Sequence, residues 1–361
     1  MNLFNYFKRA VMAATLVATG SAAWAQTPTA DHAKPNIVII ATGGTIAGAA
    51  ASSANVSAYK SAVVGVDKLI AAVPELHDVA NVRGEQLLQI GSESFNNERW
   101  FKLAQRVSEL LNSKDVDGVV ITHGTDTMEE TAYLLNLTLK STKPVVLTGS
   151  MRPGTALSAD GPLNVYNSVV VAGSKQAVGL GTLVVMNDQI YSGRDVIKTE
   201  SLKVETFQSQ YGPLGMVVEG QPRFYRTPSR PHTTQSEFDI DQIPSMPQTD
   251  VVYTHGNMNR VAMDSFIAAG AKGLVWAGFG AGSVPDYMDT PLKEARAKGV
   301  IIVRATRLAY GYVVRNGETN DDKNDYVVAE DQNPAKARIL LALAMTKTHD
   351  TKELQRIFWK Y

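Results

Sequence analysis

Two short apolar runs, each stopped by glycine and followed by threonine, constrain this chain more than any other feature. Ile37-Val38-Ile39-Ile40 leads into Ala41-Thr42-Gly43-Gly44-Thr45-Ile46-Ala47-Gly48. Gly118-Val119-Val120-Ile121 leads into Thr122-His123-Gly124-Thr125-Asp126-Thr127-Met128-Glu129-Glu130. Each reads as a buried strand that offers a threonine hydroxyl at its end, and buried strands of this kind belong to parallel sheets covered on both faces. In open α/β sheets, ligands sit in the crevice beyond the carboxyl ends of the strands. Two threonines delivered there from separate strands, one beside an aspartate, suggest hydroxyl chemistry.

Strands and helices alternate along the rest of the chain. Gly48 to Ala58 is almost wholly Ala, Ser and Gly, and reads as a lid ending at Tyr59. Helical patterns run over Val66 to Val73 and Glu98 to Leu111, and the Val119 strand is followed by a helix from Met128 to Leu139. Glu129 and Glu130 fall in the first turn of that helix, where carboxylates suit its dipole. Pro144 to Thr148 is a strand, Pro162 to Ala172 a helix, and Thr182 to Met186 a strand. The stretch Gln221 to Thr249 has five prolines (Pro222, Pro228, Pro231, Pro244, Pro247) and reads as an inter-domain connection. A second α/β unit follows, with strands Val251 to Thr254, Gly273 to Ala277 and Val300 to Val303. Its helices lie near Met263 to Ala269 and over Leu292 to Lys298. A helix from Pro334 to about Thr346, proline in its first turn, and a short one near Leu354 close the chain.

Composition removes several chemistries. There is no cysteine, so disulfides, thiolate zinc sites and cysteine nucleophiles are out. The six histidines are scattered, with no pair at metal-ligand spacing. A net charge of +0 gives no field to draw nucleic acid or an anionic membrane. At the start of the chain, Lys8-Arg9, an apolar stretch from Ala10 to Thr19 and Ala23-Trp24-Ala25 have the form of a secretory signal peptide cut after Ala25. The apolar stretch is too short to span a bilayer comfortably as an anchor.

Gly43-Gly44-Thr45-Ile46-Ala47-Gly48 lacks G-x-G-x-x-G spacing and no G-K-[ST] follows, which argues against a nucleotide loop. A structural turn would need the glycines but not Thr45, and Asp126 or Thr127 could simply cap the helix that follows. His123, Gly124, Thr125 and Asp126 together at one strand end favour a functional reading. The chemistry they suit is acyl transfer, in which a threonine hydroxyl attacks once a neighbour takes its proton. A desolvated lysine or a tyrosine could be that neighbour, and Lys198, after Gly193-Arg194-Asp195-Val196-Ile197, stands near the same sheet edge. Taken alone, Lys198, Ser92 and Glu93 would be surface or loop polar residues.

The two threonine loops resemble the signature segments of bacterial type II L-asparaginases. Matching stretches are Asn81 to Gln86, Ser158-Ala159-Asp160-Gly161-Pro162, Met186-Asn187-Asp188, Tyr211 to Gly215 and Asn333 to Arg338, so the likeness spans the mature chain. Ser92-Glu93 and Lys352 to Trp359 are most similar to the periplasmic glutaminase-asparaginases of pseudomonads. The resemblance implies that Thr45 attacks the side-chain amide carbon and that Tyr59 assists its deprotonation. It implies that Thr125 and Lys198 form a second hydroxyl-amine pair. Asp126 would bind the substrate α-ammonium, Ser92 its α-carboxylate and Glu93 its amino group. Glu318 would complete the site of a neighbouring subunit, and Ala281 and Ser283 stand where the family often has asparagine.

The expected fold is α/β, with a larger N-terminal flavodoxin-like domain holding a parallel-rich sheet and a smaller C-terminal α/β domain. The divisions are residues 1–25 as signal peptide, 36–225 as catalytic domain, 226–249 as linker and 250–361 as C-terminal domain. The expected activity is hydrolysis of L-glutamine and L-asparagine in the periplasm, by a homotetramer with no metal or organic cofactor and no nucleic-acid or membrane partner. Three alternatives stay open: a strict L-asparaginase, a periplasmic amino-acid binding protein, and an asparaginase-like subunit of a tRNA-dependent amidotransferase. A binding protein has no use for Thr45, Thr125 and Lys198 together. Tight tRNA binding would be needed for the third.

Overall fold

The order of the strands in the larger sheet explains why the two threonine loops meet. The computed structural model describes residues 33–54 and 56–361; the signal peptide expected over residues 1–25 lies outside them. In chain order the first elements are β1 Asn36–Gly43, β2 Ala49–Ala50, β3 Tyr59–Lys60, α1 Val66–Ala71, α2 Leu76–Val79, β4 Asn81–Ile90 and α3 Asn97–Asn112. There follow β5 Gly118–Thr122, α4 Met128–Thr138, β6 Val145–Thr148, α5 Gly161–Ala172 and β7 Thr182–Met186. The short strands β8 Gln189–Ser192, β9 Ile197–Lys198, β10 Phe207–Gln208, β11 Gly215–Val218 and β12 Gln221–Phe224 come next. The last part holds β13 Thr249–Tyr253, α6 Val261–Ala268, β14 Gly273–Gly278, α7 Asp286–Ala297 and β15 Ile301–Thr306. It ends with α8 Asp321–Asn324, β16 Val327–Val328, α9 Pro334–Ala344 and α10 Thr351–Lys360.

The larger sheet has the order β12-β11-β8-β7-β6-β5-β1-β4. Its five parallel strands, numbered among themselves, run 2-1-3-4-5, the flavodoxin-like order, in which the chain reverses direction of travel across the sheet beside its first strand. The switch falls between β1 and β5, so their carboxyl ends flank a crevice. Side chains alternate between the faces as a strand requires. Val38, Ile40, Val119 and Ile121 join the core under α3 and α4, while Ile37, Ile39, Val120 and Val146 join the one under α5.

The smaller sheet, β13-β14-β15-β16, is all parallel. Leu274, Trp276 and Ile302 face a core with Met263, Met288 and Leu292; Val275, Ile301 and Val303 face α9 and α10. That second core continues into Trp100, Tyr133, Leu134 and Leu137 of α3 and α4. Helix α4 is therefore buried on nearly every side, and its polar residues Glu129, Thr131, Asn136 and Thr138 are buried along with the apolar ones instead of forming an exposed stripe.

The structure adds detail to the expected fold and in one place, β12, corrects it. Strand β4 mixes exposed and half-buried residues and has none fully buried, so no apolar run announces it at the sheet edge. The sheet is parallel-rich, as expected, and β8, β11 and β12 extend it antiparallel. Strand β12 takes Gln221 to Phe224 out of the proline-rich stretch read as a connection, and Pro222 is tolerated there because β12 is an edge strand. Within the segment expected as a lid, β2 pairs with β3 as a two-residue hairpin that delivers Tyr59.

Candidate active site

Three adjacent parallel strands, β4, β1 and β5, send loops into the crevice, and the loops lock together through glycine. Gly43 and Gly44 have φ of 112° and 80°, a region that favours glycine. A Cβ on Gly44 would lie 2.4 Å from the Gly124 Cα, and one on Gly124 would lie 2.6 Å from the Ser92 Oγ. The backbones thus approach too closely for any side chain. Hydrogen bonds fix the contact: Gly44 N donates to Ile90 O at 2.9 Å, Asp126 N to Ser92 Oγ at 3.1 Å, and Thr127 Oγ1 to Ser92 O at 2.8 Å.

This packing surrounds a cavity of about 300 Å³ lined by Thr45, Tyr59, Ser92, Glu93, Thr125 and Asp126, together with Ser57, Ser61 and the glycines. Six of the sequence-predicted residues therefore meet at one place. Thr45 Oγ1 and the Tyr59 hydroxyl are 2.6 Å apart, and either can donate. Lys198 reaches the same group from β9: its Nζ donates to Thr125 Oγ1 at 2.9 Å and to Asp126 Oδ1 at 2.7 Å. Thr125 and Ser92 are buried, Thr45, Tyr59 and Lys198 half-buried, and Asp126 and Glu93 exposed toward the opening. The Lys198–Asp126 pair uses one carboxylate oxygen. A half-open ion pair like this contributes about 1 kcal/mol or less to stability, so its value is orientation.

A larger cleft of about 700 Å³ runs along Leu87, Phe101, Arg106 and Met246, but it has no hydroxyl paired with a base. Glu318 does not line the 300 Å³ cavity; it is exposed and accepts a hydrogen bond from the Ser283 hydroxyl. Among the described residues, no group of His, Asp and Glu side chains is arranged to hold a metal ion, and no helix is long and apolar enough to cross a membrane.

Behind the cavity lies a layer of polar residues that sequence reasoning missed. Glu129, read as a first-turn carboxylate, is buried; it accepts from the Lys198 backbone N at 2.6 Å and from Asn333 Nδ2 at 2.9 Å. Burial pushes its carboxyl up, opposed by the Lys336 ammonium and these hydrogen bonds. Glu130 pairs with Arg338 at 2.6 Å. Arg194 grips Asp331 through both terminal guanidinium nitrogens at 2.8 and 2.7 Å. Burial disfavours the Asp331 charge, yet the Arg194 hydrogen bonds and charge prevail and hold it at about 2. Asn333 and Lys336 belong to the Asn333 to Arg338 motif noted in the sequence, and α4 and α9 being buried partners is the signal that could have joined them to Glu129. His123 is stacked on Phe95, with ring centroids 4.5 Å apart, and burial pushes it down to about 4, so it is neutral near pH 7.

Comparison with known proteins gives one answer over the whole of the described fold. Residues 36–230 match the asparaginase N-terminal family model, and residues 248–358 the glutaminase/asparaginase C-terminal domain model. A glutaminase-asparaginase of Pseudomonas fluorescens biotype A is 58% identical over 327 residues, covering 90% of each chain. That of Pseudomonas aeruginosa is 54% identical over 360 residues, covering 99% of each. A solved structure of a probable cytoplasmic L-asparaginase from Campylobacter jejuni superposes with a TM-score of 0.88 at 45% identity. The match covers 91% of this chain and 100% of that one.

Proposed function

This chain belongs to the asparaginase family, and from that premise we propose that it hydrolyses the side-chain amides of L-glutamine and L-asparagine, releasing ammonia through an acyl-threonine intermediate. The observation that carries the reading is the pair of threonine hydroxyls around one cavity, each hydrogen-bonded to a group that can handle its proton. Thr45 Oγ1 attacks the amide carbon as its proton passes to the Tyr59 hydroxyl, which gives up its own proton to solvent. Because Lys198 donates to the Thr125 oxygen, the Thr125 proton is left for the departing amide nitrogen, and the Lys198 ammonium restores it to Thr125 and is itself reprotonated from solvent. The carbon–nitrogen bond breaks, ammonia leaves, and water then cleaves the Thr45 ester. Backbone N–H groups of the glycine-bounded loops supply the oxyanion donors.

A zwitterionic substrate needs fixed charges to orient it before attack. The second Asp126 oxygen takes the α-ammonium, Ser92 the α-carboxylate and Glu93 the amino group. Glu318 is off its own cavity and exposed, which supports its supply to the site of a neighbouring subunit in a homotetramer. Compartment is argued from the leader alone: Lys8-Arg9, the apolar stretch and Ala23-Trp24-Ala25 support export to the periplasm.

The test is ammonia release from both amides side by side, with hydroxylamine as a competing acceptor. Comparable rates on the two amides are expected, together with the same hydroxamate-to-glutamate ratio from L-glutamine and its γ-methyl ester, as a shared acyl intermediate requires. An asparagine rate many hundredfold higher would reduce the protein to a strict asparaginase. Ratios that differ between amide and ester would remove the acyl-enzyme.

A further inference from the structure

Lys198 enters the site from a strand of only two residues, β9, in a segment that begins with the turn Gly193 to Asp195. Its one strand neighbour is β10, through the register Phe207 with Lys198 and Gln208 with Ile197. So short a pairing gives the side chain little intrinsic constraint. Yet Nζ must stay within hydrogen-bond reach of both Thr125 and Asp126. The restraint comes from the other side of the segment, where α4 and α9 place two side chains, Glu129 and Lys336, against its backbone.

Glu129 accepts the Lys198 N–H at 2.6 Å. Lys336 Nζ donates to Arg194 O at 2.6 Å and also to Val196 O, so the same segment is held at three points. Asn333 ties the two together. Its Oδ1 caps α9 by accepting from Lys336 N at 2.9 Å, which leaves its Nδ2 to donate to Glu129 at 2.9 Å. The amide can serve both partners in only one orientation. Glu129 is 8% exposed and Lys336 1% exposed, so both charged groups are taken out of water for these contacts. Burial pushes the Lys336 ammonium down to about 8, with the Glu129 charge opposing it. Glu129 also stands three residues after Asp126, at the start of the helix that follows the Thr125 loop, so one side chain couples both halves of the lysine-threonine contact.

We infer that Glu129 is a positioning residue for Lys198: anchored by Asn333 and Lys336, it sets the Lys198 backbone so that Nζ bridges Thr125 and Asp126. The inference rests on the proton-handling role given to Lys198 above. Groups that hold a reacting side chain act on the rate of the chemical step, and misplacement on the order of 1 Å can cost about 100-fold.

Three variants test it on the intact enzyme: Glu129→Gln, Asn333→Ser and Lys198→Met. Rates are corrected for folded protein by circular dichroism. Glu129→Gln should lower kcat about 10- to 100-fold with KM within about threefold, and should shift the basic limb of the kcat–pH profile. Asn333→Ser keeps a helix cap but cannot reach Glu129, and should lower kcat by roughly 3- to 10-fold. Adding Glu129→Gln to Lys198→Met should cost less than about twofold further, because the group being positioned is gone. Unchanged kcat in folded Asn333→Ser and Glu129→Gln, or losses that multiply with Lys198→Met, would overturn the inference. Near-normal activity in Lys198→Met itself would instead overturn the role of Lys198, so the two failures are distinguishable. Should Glu129→Gln not fold, Asn333→Ser and its combination with Lys198→Met decide the matter.

Discussion

The Thr45 and Thr125 hydroxyls stand at the ends of neighbouring parallel strands, yet different kinds of structure hold them. Thr125 is 5% exposed, and its partner Lys198 is tied through Glu129, Asn333 and Lys336 to two helices buried between the sheets. Thr45 is half-buried in a single 3-10 turn, and its partner Tyr59 arrives on a hairpin of two residues per strand. One hydroxyl is therefore held from the core and the other from the surface. A site that must admit a substrate and then close over it gains from that division. The charged anchor stays fixed, and the attacking side opens at the cost of a few hydrogen bonds.

The first way to break this contrast is to delete each hydroxyl. Thr45→Ala and Thr125→Ala should each lower kcat by about 10³-fold or more while circular dichroism stays native. Residues that act as one unit are non-additive, so the double variant should be no more than roughly tenfold worse than the poorer single. If Thr125→Ala costs less than about tenfold in ammonia release, the core-held threonine is scaffold and the two loops are not halves of one site.

How much of this was legible in the sequence follows the same division. β1, β5 and β7 were readable because strands buried on both faces need continuous apolar runs, and α9 because Pro334 sits in its first turn. Strand β4 was not, since an edge strand with one half-exposed face has no such run. The β7–β8 hairpin turns on Asn187 and Asp188, both with positive φ, a signal that lay within a motif already noted. The threonines were legible as strand ends. Lys198, 73 positions from Thr125, was legible only as a lysine near the same sheet edge; its pairing with Thr125 came by resemblance, because contacts between separate elements leave no trace in local spacing. Glu129 was read only in part for a related reason: it does lie in the first turn, but a carboxylate there is ordinary on an exposed helix, and only the burial of α4 gives it a second meaning.

The core-held side carries a pH liability that the surface-held side lacks. Gly124 O can only accept, so His123 Nδ1 donates to it at 2.7 Å. Nε2 then accepts from Thr131 Oγ1 at 3.0 Å, which itself accepts from Trp100 Nε1 at 2.8 Å. This chain needs neutral imidazole, and burial brings His123 from 6.5 down to about 4. Between those values the unfolded chain binds a proton that the folded one does not. Stability is therefore full above pH 6.5 and falls as pH drops toward 4, by about 3 kcal/mol in total. Denaturant unfolding across that range should show the slope, and His123→Gln should flatten it. Some slope remains from His232, which burial also pushes down. An unaltered slope in the variant would remove His123 from the account.

Tyr59→Phe addresses the Thr45 side alone. It removes the 2.6 Å partner while keeping the ring that contacts Gly48. Loss of a proton acceptor of this kind should lower kcat about 100-fold, roughly 2.7 kcal/mol, with KM little changed. A loss as large as that of Thr45→Ala would mean that the phenol is needed for the hydroxyl to act at all, and a loss under threefold that it only closes the site.

The smallest effect separates the two supports most directly. Ala50 N donates to Thr155 Oγ1 at 2.9 Å, and Gly154 N to Gly48 O at 3.2 Å; these bonds tie the base of the hairpin to the loop after β6. Thr155→Val removes the first of them with little change of shape, at a site that is solvent-exposed, so the loss should be 1 kcal/mol or less. Hydrogen exchange is the measurement that resolves so small a change. The Ala50 amide should exchange several-fold faster, while amides of β5, β9 and the start of α4 keep their protection. kcat/KM should move by no more than a few-fold, because the Thr125 side is untouched. Faster exchange at Lys198 in the same variant would show that the hairpin and the core-held lysine open together, and the contrast between the two hydroxyls would then be one of exposure only.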